Sequence, residues 1–88
     1  MDPSAQWRLH PQVSVRPEPF GALLYHFGTR KLSFLKDRTL VRVVDELLQA
    51  PDAIAACDRA GVAAENRATY LRALETLAAS HMIEERTA

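Results

Sequence analysis

The stretch Phe20-Gly21-Ala22-Leu23-Leu24-Tyr25-His26-Phe27-Gly28-Thr29-Arg30-Lys31-Leu32-Ser33-Phe34-Leu35 decides the fold. Phe20 to Phe27 is rich in aromatic and aliphatic side chains, which predicts a strand. Phe27-Gly28-Thr29-Arg30 reads as a turn in which Gly28 takes the positive φ that a hairpin needs. Lys31 to Leu35 then returns as a strand, with Leu32 and Phe34 on one face and Lys31 and Ser33 on the other. Upstream, Val13-Ser14-Val15-Arg16 alternates apolar and polar residues, the pattern of a half-buried strand, and Pro17 closes it. No connection between these strands is long enough for a parallel crossover, so the front half is a three-stranded antiparallel sheet.

After Asp37 the period of the pattern changes from two to that of a helix. Asp37 is a good N-cap, and Leu40, Val41, Val43, Val44, Leu47 and Leu48 fall on one helical face. Pro51 ends this helix, and a short second helix runs from Asp52 to Ala60, with Gly61 just past its end. A third helix is predicted from Ala64 to Ser80, its apolar stripe being Tyr70, Leu71, Leu74, Leu77 and Ala78. Met82 and Ile83 return to the sheet or core. The fold class is α+β: a three-stranded antiparallel sheet followed by three helices, an order like that of a winged helix-turn-helix.

Residues 1–12 read as a flexible arm in which Pro3 and Pro11 interrupt regular structure and Trp7 and Leu9 are the only large apolar groups. Residues 13–85 form the domain, and 86–88 a C-terminal tail. With 88 residues, the chain is one small domain with a thin core. Its 48% hydrophobic and 25% charged content is that of an ordered globular protein. The N-terminus has neither the basic nor the apolar region of a signal peptide, and no run reaches membrane-span length, so a cytoplasmic location and no membrane partner are expected.

Catalysis and metal binding find no support in the residue pattern. Cys57 is the only cysteine, so neither an internal disulfide nor a cysteine metal cluster can form. His10, His26 and His81 lack ligand spacing, and His26, inside an apolar strand, reads as a partly buried, hydrogen-bonded residue. Gly21, Gly28 and Gly61 are isolated, so no glycine-rich phosphate cradle exists. No catalytic residue, no cofactor and no metal are expected.

Binding remains, and the charge distribution points to its location. Eleven basic and eleven acidic residues cancel overall. Residues 30–42, however, carry Arg30, Lys31, Lys36, Arg38 and Arg42 against Asp37 alone, an excess of +4. Residues 43–88 hold eight acids and four arginines, an excess of −4. A winged helix-turn-helix DNA-binding protein is the alternative reading, with the third helix as its recognition helix. The exposed side of that helix offers Arg72 against Glu65, and DNA affinity needs several phosphate-neutralising cations, so no nucleic-acid partner is expected. The cations flank the third strand instead. A strand at a sheet edge carries unpaired N–H and C=O groups that template an added strand, and Lys31 and Lys36 favour an acidic one. The same open edge leaves a homodimer available.

The order of elements resembles the precursor-peptide recognition domains (RiPP recognition elements) typified by the peptide chaperone of pyrroloquinoline-quinone biosynthesis. The segment Pro19 to Leu35 is more narrowly similar to the peptide chaperones of mycofactocin biosynthesis, and the likeness covers about residues 13–85. The resemblance implies a non-catalytic peptide chaperone. It binds the leader of a short acidic ribosomal precursor peptide and presents it to a radical S-adenosylmethionine maturase. It also implies that the leader adds as a strand beside Lys31, Leu32, Ser33, Phe34 and Leu35, near Lys36. The same strand is expected to pack against a helix wall of Arg67, Tyr70, Leu71, Leu74 and Leu77.

Overall fold

A computed structural model describes residues 1–86 of the protein; Thr87 and Ala88, the end of the expected tail, lie outside the described residues. The three expected strands are β2 (Val13–Glu18), β3 (Gly21–His26) and β4 (Leu32–Leu35), joined as an antiparallel sheet in the order β2-β3-β4. Ala22 pairs with Leu35, Leu23 with Phe34, Leu24 with Ser33 and Tyr25 with Leu32. Pro17 does not close β2, which runs on to Glu18 with Pro17 opposite Ala22. An edge strand tolerates a residue without an N–H, and β2 is an edge.

The turn between β3 and β4 departs from the expected chemistry. Arg30, not Gly28, takes the left-handed conformation, with φ of 61°. Gly28 is required for space: a Cβ there would lie 2.4 Å from Gln12 Oε1 and 2.9 Å from the His26 ring. The backbone N–H groups of Gly28 and Thr29 both donate to His26 Nδ1, at 3.0 and 3.1 Å. His26 is therefore neutral, with its proton on Nε2, and its ring is the internal brace of the turn.

Three helices follow: α1 (Arg38–Glu46), α2 (Ala53–Arg59) and α3 (Arg67–Ala79), the last preceded by a single 3₁₀ turn at Ala64–Asn66. Asp37 caps α1 as the sequence indicates, and Asp52, read as the first residue of the second helix, is instead its N-cap. Asp37 Oδ1 accepts from the Thr39 N–H at 2.7 Å, and Asp52 Oδ1 from the Ala55 N–H at 2.7 Å. α3 ends in a Schellman motif: the Met82 N–H donates to Leu77 O at 2.8 Å and the His81 N–H to Ala78 O at 3.1 Å. His81 occupies the left-handed position of that motif, with φ of 62°.

The core lies between the inner face of the sheet and the helices. Ala22, Leu24 and His26 of β3 and Leu35 of β4 are buried, and α1 packs against these two strands, with its Val43 and Val44, and Leu47 just past its end, buried in the same cluster. Cys57, Leu74, Leu77, Met82 and Ile83 complete the buried cluster. Burial raises the Cys57 thiol pKa and leaves it inert. Leu48, expected on the core face of α1, is exposed, because α1 ends at Glu46 and the chain turns away from the helical phase.

The first dozen residues contain regular structure that the sequence did not indicate. Trp7–Leu9 forms β1, paired antiparallel with β5 (Ile83–Glu85) in a second, two-stranded sheet. Trp7 is buried and its indole N–H donates to Asp2 O at 2.8 Å. Arg8 Nε donates to Glu84 Oε2 at 2.8 Å across the pair, and the Arg86 N–H to Gln6 O at 2.8 Å. The pairing is between the two ends of the chain, so neither partner shows a local signal for it.

Two stability predictions follow from these contacts. Burial pulls the His26 pKa below its ordinary 6.5, so the unfolded chain takes up the proton first as pH falls. Stability is then lost as pH drops through 6.5 toward the folded value. The melting temperature should fall between about pH 7.5 and about pH 5. His26→Asn, which keeps an acceptor for the turn amides but does not titrate, should show a smaller fall. At the end of α3, His81→Gly relieves a left-handed side chain and should stabilise the protein by about 1 kcal/mol, measured by denaturant unfolding.

Candidate functional site

The site starts from the free side of β4. In the order β2-β3-β4, one edge of β4 is occupied by β3, and no strand lies on its other edge among the described residues. Alternation along the strand divides its side chains. Leu35 points into the core, Ser33 is half-buried, and Leu32 and Phe34 lie 54% and 56% exposed on the outer face. Lys31 and Lys36 bracket the strand and are both exposed. The start of β3 is held tightly against the end of β4: at Gly21, with φ of 155°, a Cβ would fall 2.0 Å from Leu35 O.

Just past Lys36, Asp37 joins three elements. One carboxylate oxygen caps α1, and the other accepts a hydrogen bond from the Tyr70 hydroxyl of α3. The Tyr70 hydrogen bond, reinforced by the amides of the first turn of α1, holds the Asp37 carboxyl below its usual range. The same bond pushes the Tyr70 phenol up. Between α1 and α3 at this junction lies an open groove of about 300 Å³, lined by Asp37, Leu40, Asn66, Thr69, Tyr70 and Ala73. Asn66, Thr69, Tyr70 and Ala73 recur at helical spacings of three and four, so one face of α3 forms that wall.

The residues expected to form the helix wall are divided by the structure. Tyr70 lines the groove. Leu74 and Leu77 are in the core, with Leu74 fully buried. A Leu74→Ala change would therefore cost about 2–5 kcal/mol of stability and report on folding. Leu71 is half-buried and packs against the same core. The Arg67 guanidinium is engaged with Asp58 at 2.7 Å, which fastens α3 to α2. Leu40, Asn66, Thr69 and Ala73 were not expected at the groove. Thr69 and Ala73 of α3, with Asn66 at its N-cap, continue the helical face of Tyr70, a signal present in their spacing; Leu40 is brought there only by the packing of α1.

Other features bear on chemistry. No group of three or more His, Cys, Asp or Glu residues is arranged to hold a metal ion among the described residues. No helix of the described residues is long and apolar enough to cross a membrane.

Comparison with known proteins places these features in a family. Residues 6–84 match the Peptide chaperone MftB family. The chain is 63% identical over 82 residues to the peptide chaperone MftB of Mycobacterium ulcerans (strain Agy99), covering 93% of this chain and 75% of that protein. It is 63% identical over 82 residues to that of Mycolicibacterium smegmatis, covering 93% of this chain and 80% of the relative. The corresponding protein of Mycobacterium tuberculosis is 61% identical over 85 residues, covering 97% of this chain and 78% of the relative. No solved structure matches the chain. Identity at this level, sustained from the N-terminal strand to the last, settles the relationship: the chain belongs to the peptide chaperone MftB family, non-catalytic peptide chaperones of mycofactocin biosynthesis.

Proposed function

We propose that the protein binds the leader of the short mycofactocin precursor peptide by strand addition to β4 and presents it to a radical S-adenosylmethionine maturase. The observation that carries this reading is the free edge of β4, bracketed by Lys31 and Lys36 and running directly into the Asp37–Tyr70 groove. The N–H and C=O groups on that edge supply the hydrogen bonds, and the lysines select an acidic peptide.

Magnitudes show that the backbone cannot act alone. Of the four residues of β4, alternate ones direct their N–H and C=O groups to the free side, giving about four hydrogen bonds to an antiparallel partner. At about 1 kcal/mol net each, these roughly offset the 2–5 kcal/mol needed to order a flexible peptide. Micromolar affinity requires about −8 kcal/mol, so side chains in the groove and charge must supply the remainder.

Lys31→Glu with Lys36→Glu should weaken binding of the synthetic precursor peptide, chiefly through slower association, and wild-type affinity should fall with added salt. Leu32 and Phe34 are the β4 residues whose N–H and C=O groups face the free side, because Ser33 and Leu35 stand in the hydrogen-bonded pairs with β3. Leu32→Pro should therefore damage binding more than Leu32→Ala, provided a melting curve shows the domain intact. Tyr70→Ala should cost about 1–3 kcal/mol of affinity. Calorimetric titration checks each, and duplex DNA should bind weakly and without sequence preference. Unchanged affinity in folded charge-reversed and Tyr70→Ala proteins would place the peptide elsewhere.

A further inference from the structure

The outer face of the sheet, opposite the helices, is apolar and uncovered. In register across β3 and β4, Leu23 lies opposite Phe34 and Tyr25 opposite Leu32. Phe20 extends this face, its ring centroid 6.2 Å from that of Phe34, and Phe27 stands edge-on to Tyr25 at 5.0 Å. Phe20 is 43% exposed. Phe20, Phe34 and Lys36 line a cleft of about 440 Å³ at the corner where this face meets the free edge of β4. Lys36 makes no ion pair among the described residues.

We propose that this cleft is a second specificity subsite for the peptide: it takes an apolar side chain directed to the outer face, with a peptide carboxylate meeting Lys36. The proposal rests on the strand-addition reading. Side chains of an added strand alternate between the two faces of the sheet. Those on the outer face stand about 4.5–5.5 Å, Cβ to Cβ, from the β4 residues they oppose, which on that face are Leu32 and Phe34. A peptide paired with β4 therefore covers these two side chains, and the Phe20–Phe34 cleft is within the same strip. The inner-face residues fall on the side of Leu35 and the helices. The peptide is read on both faces, with period two.

Charge selects the peptide over a second copy of the chain. Among the described residues, the carboxylate of Glu18 is already engaged by Arg16 at 3.1 Å, and that of Asp37 by Tyr70 and the α1 cap. A self-complementary contact would bring two Lys36 ammoniums to one apolar surface with no free acid beside them. An acidic peptide supplies the missing charge.

The test uses the labelled synthetic precursor peptide and a set of its single serine substitutions, read by fluorescence anisotropy. Phe34→Thr, which retains strand propensity, and Phe20→Ser should each weaken binding about tenfold or more. One apolar position of the peptide should lose its sensitivity to serine in the Phe34→Thr protein, as a double-mutant cycle requires of direct contact. Circular dichroism melting checks that both variants are folded, and Phe20→Ser serves alone if Phe34→Thr is not. Wild-type affinity in the folded Phe variants, with binding still lost in Leu32→Pro but not in Leu32→Ala, would overturn the outer subsite and leave strand addition standing. A loss coupled to no peptide position would also overturn it. Wild-type affinity in Leu32→Pro as well would overturn both readings.

Discussion

Asp37 is the residue through which the sheet, the first helix and the third helix are joined. It stands where the chain leaves β4, and its carboxylate divides its two oxygens between the first turn of α1 and the Tyr70 hydroxyl. The cap contributes about 1 kcal/mol in its own right. The hydrogen bond to Tyr70 does something different, since it sets where α3 stands relative to the end of the edge strand. That placement creates the groove lined by Leu40, Tyr70 and Ala73 directly beyond Lys36. Stability and the candidate site thus share one side chain.

The small size of the chain explains how the rest is arranged. A thin core must recruit apolar groups from the whole sequence, and it does so from both ends: Trp7 and Ile83 are buried beside β1 and β5, two strands more than 70 residues apart. The inner face of the main sheet is spent on the same core through Ala22, Leu24 and Leu35. What remains for binding is the edge of β4, the α1–α3 groove and the outer face with Phe20 and Phe34. The core and the proposed recognition surface therefore lie on opposite sides of the same strand. Leu35 is buried in the core, while Leu32 and Phe34 are exposed.

The turn after β3 shows how a buried polar residue can be satisfied by local structure. His26 lies in the core-facing row of β3, yet its ring nitrogen accepts two turn amides that would otherwise lack partners. The arrangement requires the neutral imidazole and leaves no room for a side chain at residue 28.

Local sequence signals determined the three main strands, the three helices and the Asp37 cap, because each depends on neighbours a few residues away. They also marked β4 as a basic edge, since strand order and charge are both local properties. Three features waited for the tertiary structure. The β1–β5 pair joins chain ends whose short strands have no pattern of their own. Leu74 and Leu77 share an apolar stripe with Tyr70, but helical phase alone does not say which part of a stripe faces the core and which a groove. The left-handed residue of the hairpin proved to be Arg30, with Gly28 needed to admit Gln12 and His26. Contacts between segments distant in sequence decide such choices, and a local pattern carries no record of them.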